Sequence, residues 1–507
     1  MTRQWKIRNK KTGTALLAFT LAGALLLGGC SAKGSMSMNA LEAGSKYYYD
    51  QNADGMKGES YLPIEENPEQ AAAEESTVTF SLKVDTAAYS NVSRYIDGGN
   101  LPPKDAVRTE ELLNYFRYEQ PLENSSAPFA VYTEVGPSPF HAEKQIAFVR
   151  VKTPDVDKSE LPPCNLTFLI DTSGSMDSYD KLPLLKTAFS LLVETLTEND
   201  KVSIVTYAGS SEVVLDSVSG NDKTKILDAI YNLTAAGSTA GADGIRTAYA
   251  LAEKNFKENG NNRVILATDG DFNVGLSNTD ALAELIREKK DGGVYLSILG
   301  FGAGNIRDDI METLSKNGNG NYSYIDTAQT AKKVLVEELG GNLFTVADDV
   351  KAQIEFNPDV VRSYRLIGYE NRMLSNEDFD DDQKDAGEIG AGADVVVLFE
   401  IEPVSGRSNA EAAPFEVRIR YKNPGESESR LFTKAELDVG SDSPSSTDFG
   451  FACSVAAFGH LLRGSEYTGD ATLGTVLSLA QENLGRDPGG YRQEYISLLK
   501  KYQRLIG

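Results

Sequence analysis

The middle of the chain alternates short, strongly apolar segments with amphipathic ones, and this alternation constrains the fold more than any other feature. The apolar segments cover residues 166–170, 202–207, 264–267 and 294–299, and the amphipathic segments cover 182–196, 242–256, 279–289 and 306–314. Nearly continuous apolar strands separated by helices indicate a mostly parallel sheet with helices on both faces. The sequence therefore predicts an α/β, doubly wound, Rossmann-like domain. Sheets of this kind bind ligands at the carboxyl ends of their strands.

Five segments of different composition follow one another along the 507 residues. We expect a lipoprotein signal peptide at 1–30, a flexible linker at 31–76, a small N-terminal α+β module at 77–160, the parallel-sheet domain at 161–345, and a C-terminal α+β module at 346–507. The linker is assigned because its Gly, Ser, Ala, Asn and Glu residues show no sustained apolar period. The two flanking modules are assigned to the α+β class because each contains both strand and helix patterns.

The flanking modules contain recognisable strand and helix patterns. In the N-terminal module, residues 79–84 alternate like a half-buried strand and residues 105–116 favour a helix. In the C-terminal module the predicted strands are 350–356, 395–401 and 415–421, and the predicted helices are 452–462 and 493–505. The chain shows no internal sequence repeat.

The first thirty residues have the layout of a secretory signal. Five basic residues precede an apolar run over 14–27, which is too short to cross a bilayer comfortably. The run ends in Leu27-Gly28-Gly29-Cys30, which resembles the bacterial lipobox. That resemblance implies lipid on Cys30 and an extracytoplasmic protein anchored to the cell membrane or to an outer membrane.

The charge of the chain excludes some partners. The formal net charge is −24, and five of its 50 basic residues precede Cys30, so the remainder carries 45 basic against 74 acidic residues, or −29. Such a surface repels nucleic acid and anionic headgroups. Cations and basic partners remain compatible with it.

Residue types that often carry chemistry are scarce after the leader. Cys164 and Cys453 are the remaining cysteines, and the sequence is compatible with a disulfide between them or with two buried thiols. His141 and His460 lack the spacing of a catalytic or metal site, which argues against an enzyme. The acidic run 376–385 lacks the central glycine of a calcium loop, so it is interpreted as a solvated turn.

Oxygen-bearing side chains follow the predicted strands of the parallel sheet. Asp171, Ser173 and Ser175 come directly after the first strand, Thr239 ends an Ala-Gly-Ser-Thr segment before a helix, and Asp269 closes another strand. All three loops are expected at the same edge of the sheet. Carboxylate and hydroxyl oxygens suit a hard cation, Mg²⁺ before Mn²⁺ or Ca²⁺. A free coordination position on that ion would accept a carboxylate from another molecule.

This pattern resembles the von Willebrand factor type A (VWA) domain, whose metal-ion-dependent adhesion site reads Asp-x-Ser-x-Ser, then a distant Thr and a distant Asp. The resemblance implies that Asp171, Ser173, Ser175, Thr239 and Asp269 hold the metal directly or through water. Thr234 is a weaker candidate than Thr239 because the Gly-Ser-Thr loop suits a close approach of backbone to ion. The segments 84–92, 101–116, 364–372 and 385–392 resemble the flanking modules of a bacterial VWA lipoprotein family.

The resemblance implies a membrane-anchored binding protein, not an enzyme: its VWA domain holds a divalent cation and, through it, an acidic side chain of a protein partner. Two alternatives stay open. A hydrolase assisted by the same metal needs a base beside an activated water, and carboxylates such as Asp271 would have to supply it. A structural envelope protein would need no metal. Chelation and loss of Asp171 distinguish the three.

Overall fold

The computed structural model describes residues 58–83, 85–121, 125–155, 161–238, 241–270, 279–338, 341, 343–405, 412–435 and 445–507. The predicted signal peptide with the predicted lipidation site Cys30, most of the predicted linker, Thr239 and Asp271 lie outside these residues. Within them, helices that combine the length and apolar character of a membrane span are absent.

The strands are β1 (Gln70–Ala71), β2 (Thr77–Ser81), β3 (Ala130–Pro137), β4 (Gln145–Lys152), β5 (Cys164–Asp171), β6 (Lys201–Tyr207), β7 (Ser211–Ser219), β8 (Asn261–Thr268), β9 (Val294–Phe301), β10 (Tyr322–Ile325), β11 (Thr345–Phe356), β12 (Val361–Ile367), β13 (Met373–Leu374), β14 (Gly387–Gly390), β15 (Asp394–Pro403), β16 (Phe415–Lys422) and β17 (Arg430–Ala435). The α-helices are α1 (Ala87–Asp97), α2 (Thr109–Asn114), α3 (Leu182–Thr195), α4 (Lys223–Tyr231), α5 (Gly241–Lys254), α6 (Thr279–Asp291), α7 (Asp308–Asn317), α8 (Ala328–Lys332), α9 (Thr447–Arg463), α10 (Leu473–Glu482) and α11 (Tyr491–Ile506). Short helical turns cover Lys104–Ala106, Gly174–Asp177, Lys333–Glu337, Glu370–Arg372, Asn376–Phe379 and Glu466–Thr468.

The predicted doubly wound sheet is confirmed. In the described part of the chain its strand order is β10-β9-β8-β5-β6-β7, with all neighbours parallel except the β6–β7 pair. Apolar side chains of β5, α3 and α4 form a core on one face, and those of β8, β9, α5 and α7 form a core on the other. The sequence did not predict the antiparallel edge strand β7, because its exposed Val213 and Val214 break the alternation of a half-buried strand.

The register of β5 with its neighbours positions the candidate site. Strand β5 is buried over its whole length and lies between β6 and β8. Its last residue, Asp171, pairs with Tyr207, and Ile170 pairs with Ala267 of β8. Asp269 follows the end of β8 by one residue. Both acidic residues therefore reach the carboxyl edge of the sheet on adjacent strands.

The segments before and after the parallel sheet combine in two further sheets. In one, β2 lies between β13 and β11, and β11 continues to β16 and β17 with β14 paired to β11 as well. In the other, the order is β1-β12-β15-β4-β3. The sequence predicted two separate α+β modules, whereas the structure interleaves their strands around one apolar core.

Helices from both flanking segments share a second core. Phe116, just after α2, lies with its ring centroid 4.9 Å from that of Phe451 in α9 and 5.5 Å from that of Tyr495 in α11. Cys453 is buried in this core, whereas Cys164 is buried at the start of β5. Both cysteines are free, so of the two possibilities left by the sequence, the structure has the unpaired thiols.

The end of the predicted linker is ordered. Residues 58–76 lie on the folded body, and β1 within them pairs with β12. The Ser60 amide donates to the carbonyl of Ile306 over 2.9 Å, and the Gly304 amide donates to Glu59 Oε1 over 2.8 Å. The sequence did not predict that this segment is ordered, because it has no apolar period and is held by hydrogen bonds to another element.

A buried ion-pair network breaks the helix that the sequence predicts at 105–116. Arg108 has extended backbone angles just before α2, and its guanidinium lies 2.7 Å from Asp308 at the start of α7 and 2.5 Å from Glu111. All three side chains are buried. Nearby, buried Arg372 pairs with Asp85 and Glu312. These pairs join the flanking segments to the parallel-sheet domain.

Arg108→Ala should destabilise the whole molecule. Removal of the guanidinium leaves the carboxylates of Glu111 and Asp308 buried without it, and such a loss costs about 3–5 kcal/mol of unfolding free energy. Chemical denaturation should report this decrease. Arg246→Ala is the control, because Arg246 forms an exposed pair with Asp243 and its removal should change stability by less than about 0.5 kcal/mol. Equal effects of the two substitutions would contradict the assignment.

Candidate metal centre

Two fully buried carboxylates lie at the carboxyl edge of the parallel sheet. Asp171 ends β5 and Asp269 follows β8, and neither side chain is exposed. The charge of Asp269 acts on Asp171, and the Thr268 hydroxyl donates to Asp171 Oδ2 over 3.5 Å. Buried carboxylates need compensating partners. The structure thus brings two of the predicted metal ligands together.

The two serines join these carboxylates. The Ser173 amide donates to Asp171 Oδ1 over 2.8 Å, and the Ser173 and Ser175 Oγ atoms lie 3.0 Å apart. The Ser175 hydroxyl also forms a hydrogen bond with the Asp269 carboxylate. Ser173 is buried, whereas Ser175 lies on an exposed turn. The group therefore opens to solvent on the side of Ser175.

The loop that leads to Thr239 is attached to the first loop. The Ala236 amide donates to the Thr172 carbonyl over 2.8 Å, and the Gly174 amide donates to the Gly237 carbonyl over 3.0 Å. Gly237 has a φ of +85°, which favours glycine at this turn. Thr234 is exposed. Because Thr239 lies outside the described residues, its role stays a prediction.

The structure adds Lys181, which the sequence pattern did not indicate as a site residue. Its Nζ donates to Asp269 Oδ2 over 2.8 Å and to Asn305 Oδ1 over 3.3 Å. The lysine precedes α3 and has a largely buried side chain. A lysine six residues after Ser175 gave no signal by itself, because lysines before helices are usually solvated and Asn305 comes from a different loop.

Burial and charge give the two carboxylates different proton affinities. Burial raises the pKa of Asp171 to about 6, and the negative charge of Asp269 contributes in the same direction against the Ser173 hydrogen bonds. Burial also acts to raise the pKa of Asp269, but the hydrogen bond and charge of Lys181 outweigh it and lower that pKa. Among the described residues, Asp269 is therefore the carboxylate that a basic side chain compensates, whereas Asp171 has no basic partner.

The donors at this edge fit a hard cation. Asp171, Asp269, Ser173 and Ser175 provide carboxylate and hydroxyl oxygens, the ligand types that Mg²⁺ prefers. Clusters of three or more His, Cys, Asp or Glu side chains suited to a metal are absent from the described residues. The candidate centre is of another kind, with two carboxylates and the remaining donors hydroxyl groups.

Other polar features of the sequence have structural surroundings. His460 is buried and its ring lies 4.6 Å from that of Phe140, whereas His141 Nδ1 lies 2.9 Å from Glu400 Oε1. The acidic run 376–385 begins with a helical turn, and Lys351 Nζ donates to the carbonyl of Asp378 over 3.0 Å. These contacts hold the acidic run against the sheet that contains β11.

Comparison with known proteins identifies the family. Residues 165–338 match the von Willebrand factor type A domain, residues 55–148 match the family described as von Willebrand factor, and residues 341–505 match "Uncharacterized protein YfbK, C-terminal". Over 464 residues the chain is 41% identical to "Uncharacterized protein YfbK" of Escherichia coli (strain K12), covering 87% of this chain and 80% of that relative. The chain belongs to the YfbK family. The resemblance to bacterial VWA proteins is thereby confirmed.

Other proteins resemble this chain at lower sequence identity. The inter-alpha-trypsin inhibitor heavy chain H3 of Homo sapiens is 27% identical over 166 residues, covering 31% of this chain and 18% of that relative. A solved structure titled "von Willebrand factor type A from Catenulispora acidiphila" has a TM-score of 0.44 and 17% identity, and the match covers 75% of this chain and 91% of that one. The statement that this YfbK-family member is not an enzyme stays a prediction.

The raised pKa of Asp171 predicts a pH-dependent stability. An aspartate in the unfolded chain has a pKa of about 3.9, so the folded state binds more protons until the pH exceeds about 6. The stability attributable to this group is thus present at low pH and is lost as the pH rises through about 6. Between about pH 5 and pH 7.5 in EDTA, wild type should lose about 1–2 kcal/mol relative to Asp171→Asn.

Chemical denaturation of both proteins at the two pH values measures this difference. Asp177→Asn is the matched control, because Asp177 lies on the same loop and is exposed. It should follow wild type at both pH values. If the Asp171→Asn variant also follows wild type, Asp171 is not the uncompensated carboxylate.

Proposed function

We propose that this YfbK-family protein binds a divalent cation, Mg²⁺ first and Mn²⁺ or Ca²⁺ next, and through it an acidic side chain of a protein partner. The proposed ligands are Asp171, Ser173, Ser175, Thr239 and Asp269, directly or through water. The observation that carries the proposal is the meeting of two fully buried carboxylates and two serine hydroxyls at one edge of the parallel sheet.

Electrostatics favours a cation at this place. Two carboxylates that share a buried environment disfavour each other's charge, and Lys181 compensates only Asp269. A divalent ion would compensate Asp171 and return its pKa towards the ordinary range. Serine hydroxyls complete a coordination shell without additional negative charge. The ion would therefore remain attractive to a further carboxylate.

The surroundings of the centre favour binding of a macromolecule. Ser175 lies on the exposed side of the group, and Tyr179 on the same loop is 86% exposed. Exposed aromatic side chains are common anchors of protein interfaces. A partner that places a Glu or Asp on the ion would contact this tyrosine with its neighbouring residues. This arrangement favours recognition of a protein surface over recognition of a small solute.

The proposal includes a location for the protein, on the extracytoplasmic side of a membrane. Lipid on Cys30 would anchor the chain on the extracytoplasmic side of a membrane. The described residues begin at Gly58, and Glu59 and Ser60 contact the loop that contains Gly304 and Ile306. The metal centre would then face partners in the cell envelope or outside the cell.

Titration of purified full-length protein with Mg²⁺ or Mn²⁺ in a calorimeter tests the metal. We expect saturable binding at pH 7.5, and Asp171→Ala should weaken it roughly 10- to 100-fold or more, because it removes a buried ligand. Circular dichroism checks that the variant is folded. The absence of uptake of Mg²⁺, Mn²⁺ and Ca²⁺ by folded wild type would overturn the metal site and favour a structural envelope protein.

The two threonines provide a matched pair for the same titration. Thr239→Ala should weaken metal binding, whereas Thr234→Ala should leave it unchanged, because Thr234 is exposed and precedes the loop bonded to Gly174. The opposite result would assign the threonine ligand to Thr234.

Partner binding is tested with immobilised protein and a detergent extract of the cell envelope. A specific partner should be retained in Mg²⁺, released by EDTA, and absent from Asp171→Ala, whereas Asp177→Ala should retain it. Because the carboxylate acts through the metal, a partner that stays bound in excess EDTA would contradict the proposed mode of recognition. Metal-dependent turnover of phosphoester or peptide substrates, lost in Asp171→Ala, would favour the hydrolase instead.

A further inference from the structure

Lys181 is held in a fixed position beside the candidate centre. Its side chain crosses the backbone of Gly302, where an added Cβ would lie 2.3 Å from Lys181 Cγ and 2.4 Å from Lys181 Cε. Gly302 has a φ of +71°, so both the conformation and the space favour glycine. Asn305 and Asp269 accept hydrogen bonds from the ammonium group. The loops that contain Asp269 and Asn305 thus hold the Lys181 ammonium group beside Asp269, one of the two buried carboxylates.

The ammonium group changes the net charge of the candidate centre. Asp171 and Asp269 contribute two negative charges and Lys181 contributes one positive charge. A bound divalent cation would make the total +1, and a carboxylate from a partner would then make it zero. Without the ammonium group, the loaded centre would already be neutral, and an added carboxylate would leave it negative.

We propose that Lys181 acts as a built-in cation that weakens the hold on the metal and makes the loaded centre selective for an anionic ligand. The inference rests on the proposed metal-dependent function and assigns a role to a residue outside the predicted ligand set. Lys181 competes with the metal for Asp269, because both are cations that act on the same carboxylate. It also preserves the positive charge that attracts the partner's acidic side chain.

The two consequences have opposite signs, which makes the proposal specific. Loss of the ammonium charge should strengthen metal binding, because like charges a few ångströms apart repel even when partly screened. The same loss should weaken binding of an anion to the loaded centre. A residue with a purely structural role would lower both affinities or neither.

The experiment compares wild type, Lys181→Met and Lys181→Gln, all as full-length protein at pH 7.5. Mn²⁺ alone is the metal probe, measured by calorimetry, and acetate is the anion probe, measured on Mn²⁺-loaded protein by water proton relaxation. We expect Mn²⁺ binding to strengthen at least about tenfold in the neutral variants. Acetate binding should weaken by about the same factor. The glutamine variant keeps a hydrogen-bond donor near Asp269 and tests the charge if the methionine variant does not fold.

Lys186→Met is the matched control. Lys186 lies in α3 and its Nζ donates to the carbonyls of Tyr231 over 2.9 Å and Leu233 over 2.7 Å, away from the candidate centre. This variant should bind Mn²⁺ and acetate as wild type does. Equal or weaker Mn²⁺ binding in both neutral Lys181 variants overturns the role of Lys181, and so does unchanged acetate binding.

The outcomes separate this inference from the proposed function. If wild type binds no Mn²⁺ but the neutral Lys181 variants do, the wild-type metal function fails and the lysine is the resident cation of the centre. If none of the proteins binds Mn²⁺, both proposals fail. Metal binding in wild type with no change in the variants leaves the proposed function intact and removes the inference.

Discussion

The pairing of β5 with β8 is the constraint on which the candidate centre depends. It places Asp171 and Asp269 on adjacent strands at the same edge of the sheet, both without exposure to solvent. Their side chains must be compensated where they stand, because the strands that carry them are fixed by two buried cores. The hydroxyls of Ser173 and Ser175 and the ammonium of Lys181 meet this requirement in part. A hard cation would complete it.

The surrounding structure holds this edge in place from outside the VWA domain. Arg108 from the N-terminal segment pairs with Asp308 of α7, and Arg372 from the C-terminal segment pairs with Glu312 of the same helix. The loop before α7 contains Asn305, which accepts a hydrogen bond from Lys181. The flanking segments therefore support the element next to the candidate centre.

The sequence predicted the parallel sheet and the site loops because both depend on local patterns. Apolar runs mark β5, β6, β8 and β9, and an oxygen-bearing motif at a strand end is readable without neighbours. It did not predict β7, whose valines are exposed, or the interruption at Arg108, where a buried ion pair outweighs helical periodicity. Lys181 and the interleaving of the flanking strands in shared sheets were not predicted either. Each is defined by partners distant in the chain.

The interleaving of the flanking strands sets the order in which the molecule can form. Thr79 in β2 accepts a hydrogen bond from Gln353, which lies 274 positions later in β11. Strand β2 therefore cannot pair in its sheet until β11 has been synthesised. The parallel sheet lies between them in the chain and closes on shorter loops, which favours its earlier formation. An unpaired β2 is an exposed strand edge during that interval.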